Sequence, residues 1–258
     1  MFQPIRPARL SDIIADQIRK LILEGTLEPG SRLPTERELA ERFDTSRPTV
    51  REAVKKLEEE GLLRVQRGGM HIAGAAEEAI AEPLSAMLMA DPQGAEDYME
   101  FRQILEGSAA YLAALRANDI DREELSRAFD RMTALGDGAS PDEEAAADAD
   151  FHLAIYEASH NVTILHVMRA LSTILRNDVL QNRRRLNTRQ GYREITIRQH
   201  RAIYDAILAG APEEAKQAAQ AHIAFAREAI AEIRKADQRL EVSLRRISRQ
   251  VRPIESLG

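Results

Sequence analysis

The sequence predicts a mainly α protein: an N-terminal winged helix-turn-helix followed by an all-α antiparallel helical bundle. Three observations carry this. Residues 33–61 read as two short helices joined by a tight turn. Residues 62–73 read as two short strands around a Gly-Gly turn, a hairpin with a basic residue at its tip. From about residue 77 the chain is Ala-rich helical sequence, broken only by short turn signals.

Residues 1–8 hold two prolines and read as an extended arm. Over residues 9–24, Leu10, Ile13, Ile14, Ile18, Leu21 and Ile22 form one helical stripe, which Gly25 and Pro29-Gly30 end. Thr35 caps the next helix and Glu38, three residues on, completes a capping box. Leu39, Ala40 and Phe43 are its apolar residues. Asp44 and Thr45 turn the chain, Asp being tolerant of the left-handed conformation. Ser46 caps the third helix and Pro48 lies in its first turn, where the missing N–H costs nothing. Val50, Val54 and Leu57 make its buried stripe.

A winged helix-turn-helix is predicted over 9–74, a helical body over 78–236 and a basic tail over 237–258, which carries five arginines (Arg239, Arg245, Arg246, Arg249, Arg252) and reads as a last helix or a loose tail. The body's helices are expected near 77–90, 95–117, 121–135, 142–159, 162–186, 192–209 and 212–236. Short loops between so many helices argue antiparallel packing.

With 44% hydrophobic residues among 258, the chain can bury a core in two domains. It contains no cysteine, which excludes a disulfide framework, a thiol nucleophile and a thiolate metal site. It has neither an apolar run approaching 18 residues nor a signal-peptide h-region, so a soluble cytoplasmic protein is expected. Net charge is −6, but unevenly spread: residues 1–74 hold 13 Lys and Arg against 12 Asp and Glu, the remainder 23 against 30. A near-neutral head on an acidic body can bind DNA through a local patch, with a moderate salt-dependent phosphate contribution.

Beside the apolar stripe of the third helix lie Arg47, Arg51 and Lys55, each four residues from the last. Such a basic edge is commonly only a solvated face. On a short helix held by another through a tight turn and followed by a basic hairpin, it is also what a major-groove reader needs. One such helix covers a half-site, so a homodimer on pseudo-palindromic double-stranded DNA is expected. In the body, His152, His200 and His222 fall on three different helices, and Asp148 lies one turn before His152. Facing helices can gather such groups around one ion, yet an isolated histidine is more often a core or surface residue than a ligand.

Residues 9–73 resemble the DNA-binding domain of the GntR superfamily. The likeness is carried by Leu27-Glu28-Pro29-Gly30, the run from Leu33 to Ala40, Ser46-Arg47 with Val50-Arg51-Glu52-Ala53, Glu60-Gly61-Leu62 and Arg67-Gly68-Gly69. It implies DNA contacts by Arg37, Ser46, Arg47, Thr49, Arg51, Arg67 and Gly68. Asp44 stands where a glycine is common, and Met70-His71 where Thr-aromatic is common.

Residues 80–232 resemble the FCD effector domain of FadR-type regulators. The matching segments are 98–106, Asp148-Ala149-Asp150-Phe151-His152, Gln199-His200-Arg201 and the later His222. The resemblance implies one divalent metal per chain on Asp148, His152, His200 and His222. That ligand set suits zinc, nickel or manganese without choosing between them, and zinc is the metal expected first. It also implies that Arg102 binds a small carboxylate effector, a 2-hydroxy or 2-oxo acid such as lactate, pyruvate or glycolate. A metal-dependent hydrolase and a purely architectural DNA-binding protein are the competing classes. No Glu adjoins a motif His to serve as base, and neither alternative explains head and ligand set together. The expectation is a transcriptional regulator, not an enzyme.

Overall fold

The computed structural model describes residues 9–74, 92–136, 139–171 and 191–250. The proline-containing arm, the helix expected at 77–90, residues 172–186 of the helix expected at 162–186, and Arg252 lie outside the described residues. The chain divides into two compact units, residues 1–86 with 161–173, and residues 87–160 with 174–258.

In the first unit, helices α1 (Leu10–Leu23), α2 (Glu36–Arg42) and α3 (Arg47–Glu59) precede strands β1 (Leu63–Gln66) and β2 (Gly69–Ile72). The capping box of α2 is formed: Thr35 N donates to Glu38 Oε2 at 2.8 Å, and Glu38 N donates to Thr35 Oγ1 at 3.3 Å. Ser46 Oγ accepts from Thr49 N and caps α3. Between them Asp44 takes the left-handed conformation, φ 46°, so the turn is made where a glycine would be easiest. Ile14, Ile18, Val50, Val54, Leu57, Leu63 and Ile72 close one apolar core.

The hairpin is antiparallel, with Leu63 opposite Ile72 and Gln66 opposite Gly69. Its turn is therefore Arg67-Gly68 rather than the expected Gly-Gly, and Gly69 belongs to β2. Gly69 has φ 128°, and a Cβ there would meet Arg32 Nε at 2.9 Å. The second glycine serves this positive φ within β2, where any side chain would be strained, and not the turn; the Arg32 guanidinium lying against it is mobile enough to give way. Helical residues 162–171 form α7 and cluster with this unit: His166 Nε2 lies 3.0 Å from Leu23 O at the end of α1, and Arg169 lies 3.7 Å from Glu28.

The second unit holds α4 (Pro92–Arg116), α5 (Asp119–Ala134), α6 (Pro141–Ala158), α8 (Tyr192–Leu208) and α9 (Pro212–Gln250). Asn118 caps α5 in a capping box with Asp121, and Ser140 caps α6 in one with Glu143. Residues 117–118 link α4 to α5 and residues 209–211 link α8 to α9, and the second pair packs together as an antiparallel hairpin. Helix α9 packs along α4 and α8, α5 along α6, and α6 on α4. Helices α4 and α9 approach closely at Gly107, where a Cβ would meet Gln220 Cγ at 2.6 Å, and both helices bury small residues, Ala109, Ala110 and Ala113 on α4 and Ala215 and Ala219 on α9. Phe129 stacks on Tyr204 at 4.6 Å and tilts against Phe151 at 5.8 Å. Helix α9 does not stop near 236 but continues through Gln250, with residues 238–247 exposed. Among the described residues no helix is long and apolar enough to cross a membrane.

Candidate metal centre and DNA-reading edge

Helix α6 presents Asp148 and His152 one turn apart, α8 presents His200 and α9 presents His222. Each histidine offers one nitrogen to a cluster in which all three lie within 4.8 Å of one another. His152 Nε2 and His200 Nε2 are 3.4 Å apart. Asp148 Oδ1 is 3.4 Å from His200 Nε2, and its Oδ2 is 3.9 Å from His152 Nε2. The rings of His200 and His222 lie 4.2 Å apart. All three histidines are buried. An ion with four donors at about 2.0–2.1 Å spaces neighbouring donors roughly 3.3–3.4 Å apart, so this donor set fits a small divalent cation.

Two residues given no role in the sequence reading orient these ligands. Glu106 of α4, 2% exposed, places Oε2 2.5 Å from His152 Nδ1. That contact is an ion-pair approach without hydrogen-bond alignment; a proton on Nδ1 beside the carboxylate would leave the Nε2 lone pair facing the cluster. Gln199 Oε1 lies 3.2 Å from His222 Nδ1 and sets that ring in the same way. The available signal was spacing: Glu106 stands one turn after Arg102, and Gln199 adjoins His200.

Arg102 is not a surface residue. It is 5% exposed, and its Nε and Nη2 donate to Glu106 Oε1 at 3.1 and 2.5 Å. Burial is the largest influence and disfavours its charge, but Glu106 together with Tyr98 and Tyr156 outweighs it and leaves the pKa raised. Burial likewise pushes Glu106 up, yet the His152 and Arg102 charges hold it well below the usual carboxylate range. Burial pulls His152 down while Glu106 pulls it further up, leaving it raised. His222 is lowered to about 4 by burial, with the His152 charge adding to the effect. His200 also borders a cavity of about 20 Å³ with Glu144, Arg193 and Thr196, room for one water.

In the first unit, Arg37, Ser46, Arg47, Arg51, Arg67 and Gly68 are exposed and Thr49 is half-buried. Ser46 and Thr49 hydroxyls share a 2.8 Å hydrogen bond at the start of α3. Arg37 lies 3.7 Å from Glu41. Arg51 is gripped by Glu36, which opens α2.

The sequence profile of the bacterial regulatory proteins, gntR family, matches residues 10–71, and that of the FCD domain matches residues 97–225. The chain belongs to the GntR family, as a FadR-type regulator. This GntR-family chain is 38% identical over 227 residues to the regulatory protein ascribed to the L-lactate dehydrogenase operon of Escherichia coli (strain K12), covering 86% of each chain. It is 31% identical over 218 residues to the Glc operon transcriptional activator of the same strain, covering 83% of this chain and 86% of that one. Among solved structures it is similar to Streptococcus agalactiae GntR, with a TM-score of 0.53 and 25% identity over 85% of this chain and 100% of the other. The expected fold class is the observed one, mainly helical with the two-stranded wing. These relatives and both domains are those of transcriptional regulators, not enzymes.

Proposed function

We propose that this GntR-family regulator is a homodimer that reads pseudo-palindromic double-stranded operator DNA and changes that reading when a small carboxylate binds beside a divalent metal. Arg37, Ser46, Arg47, Thr49, Arg51, Arg67 and Gly68 contact the duplex. Asp148, His152, His200 and His222 hold one ion per chain, zinc first and nickel or manganese as alternatives. Arg102 meets the effector carboxylate. The single observation that carries this reading is the convergence of three buried imidazoles and one carboxylate within reach of the Arg102–Glu106 pair, in a chain that also carries an exposed basic helix edge.

The chemistry supplied by a bound cation is Lewis-acid attraction for an oxygen of the acid. Everything else falls to the chain. Glu106 and Gln199 aim the imidazoles. Arg102 closes on Glu106 through two N–H groups, leaving the rest of its guanidinium fork for a second carboxylate. An effector that favours one arrangement of the bundle shifts the population between arrangements. The operon named for the 38% identical relative points to lactate as the first acid to try.

The dimer is proposed to form along the outer face of α4. Phe101, Ile104 and Leu115 are exposed there at 40%, 58% and 57%, on one side of the helix, away from the buried Arg102, Glu106, Ala109 and Ala113. A two-fold pairing of one such stripe with itself is self-complementary.

A shift assay on operator DNA tests the reading as a whole. Arg47→Ala and Arg51→Ala each weaken specific binding about tenfold or more, whereas Arg127→Ala, exposed on α5, leaves it unchanged. Normal binding by both head variants overturns the assignment of α3.

A further inference from the structure

We infer that Glu36 is a specificity-determining positioning residue: by holding one edge of the Arg51 guanidinium, it fixes which base pair that arginine reads. The inference rests on the proposal that α3 enters the major groove. The geometry is a fork on a fork. Arg51 Nε donates to Glu36 Oε1 at 3.0 Å, and Arg51 Nη2 donates to Glu36 Oε2 at 2.8 Å. Arg47 Nη2 lies 4.0 Å from the same Oε2. Glu36 is the anchored partner: its side chain is 25% exposed, against 63% for Arg51 and 60% for Arg47.

The sequence explains why Glu36 can act as a fixed point. It is the first residue of α2, immediately after the Thr35 cap. There the helix's unsatisfied N–H groups favour a negative charge. The capping box and the burial of Leu39 and Ala40 hold α2 against α3. Arg51 is one turn past Arg47, on the exposed edge of α3.

An arginine carries five N–H donors in a planar fork. Glu36 uses Nε–H and one Nη2–H. The opposite edge, the second Nη2–H and the Nη1 pair, remains available, and it is the edge that meets guanine O6 and N7 in a bidentate contact. A free arginine side chain loses most of its rotamer freedom on docking. Held by Glu36, Arg51 has lost part of it beforehand and can present its outer edge in one direction. The same carboxylate disfavours approach of a phosphate to Arg51, so it weakens indiscriminate backbone binding while sharpening the base contact. Two opposite effects on affinity from one residue separate this role from that of an ordinary surface ion pair, which contributes little.

In vitro selection from a randomised duplex gives the preferred site of the wild-type chain. Binding of wild type, Glu36→Ala, Glu36→Gln, Arg51→Ala and Glu36→Ala/Arg51→Ala is then measured on that site, on its single-base variants and on unrelated DNA. The positioning role predicts that Glu36→Ala binds unrelated DNA more tightly yet loses about tenfold of discrimination at one base pair. That is the base pair relaxed by Arg51→Ala, and the double variant loses no more there than Arg51→Ala alone. Glu36→Gln keeps the shape and one acceptor oxygen and falls between, which guards against a folding artefact. Equal tightening of Glu36→Ala on all DNA, with base preference intact, overturns the inference and leaves Glu36 as simple repulsion. Unchanged specific binding by Arg51→Ala overturns the recognition-helix reading itself.

Discussion

Glu106 Oε2 lies 2.5 Å from His152 Nδ1, and the same carboxylate accepts from Arg102 through its other oxygen. The carboxylate thus ties the proposed effector residue to a proposed metal ligand. A group that fixes a ligand's tautomer and ring orientation typically contributes 10–100-fold in metal affinity. Glu106→Gln keeps the shape and removes the charge. Its zinc affinity, measured by competition with a chromophoric chelator, is expected to fall by about 10–100-fold with the helical circular dichroism unchanged. Wild-type affinity in Glu106→Gln removes the orienting role. In the same preparation, chelation should lower the melting temperature of wild type, because an ion bound only to the folded chain stabilises it. His200→Ala/His222→Ala should carry no metal and show no such drop.

The DNA-binding unit has its own pH dependence. Lys56 Nζ lies 2.5 Å from Asp12 Oδ1, 3.1 Å from Ser11 Oγ and 3.3 Å from Glu52, joining α3 to α1. The hydrogen bond from Lys56 lowers the pKa of Asp12 and of Glu52, and Asp12 in turn raises that of Lys56. A depressed carboxylate contributes stability above its unfolded pKa and loses it as pH falls through the folded value. A raised lysine contributes below its unfolded pKa and loses its share as pH rises through the folded one. The melting temperature of wild type should therefore exceed that of Asp12→Asn between pH 6 and 8, and the gap should close as pH drops below about 4. A gap no smaller at pH 3 than at pH 7 means the pair does not act through charge.

The head was legible in the sequence because its signals are local. Thr35 with Glu38, Ser46 with Pro48, and Val50, Val54 and Leu57 each specify a cap or a buried face within a few residues. The left-handed Asp44 was legible for the same reason. The wing register was not: Gly69 takes φ 128° inside β2, and a Gly-Gly pair in the sequence reads equally well as the turn itself. The four ligand candidates were legible as residues, but their convergence depends on how α6, α8 and α9 pack. Spacing within one helix supplies only Asp148 with His152. Glu106 and Gln199 escaped because each bonds across to another helix, and no periodicity reports that. The length of α9 was only half legible: residues 237–258 read as a last helix or a loose tail, because Arg239, Arg245 and Arg246 suit either, and the continuity with the preceding helix carries no break signal to read.

The proposed dimer makes a clear demand on α4. Ile104→Asp places a charge in the middle of the apolar stripe formed with Phe101 and Leu115, without touching the buried face that carries Arg102 and Glu106. A symmetric interface receives the charge twice. Light scattering should show the wild type as a dimer and Ile104→Asp as a monomer, with weaker binding to a two-half-site operator. A dimeric Ile104→Asp moves the interface elsewhere.

The effector prediction turns on the choice of variant. Arg102→Ala would strand Glu106, a carboxylate only 2% exposed, and breaking a buried pair from one side costs about 3–5 kcal/mol. Lost response in that variant could then reflect a damaged fold. Arg102→Lys retains the positive charge beside Glu106 but lacks the planar fork, which is what bidentate capture of a carboxylate requires. Calorimetry on the zinc-loaded chain with lactate, pyruvate and glycolate should show at least one acid binding wild type, and that acid binding Arg102→Lys at least tenfold more weakly, the scale of one charged hydrogen bond at about 1.5–3 kcal/mol. Operator affinity without effector should match wild type in the lysine variant. Equal effector affinity in Arg102→Lys takes Arg102 out of the effector site. Failure of every acid to bind the zinc-loaded wild type overturns the choice of 2-hydroxy and 2-oxo acids as the ligand class.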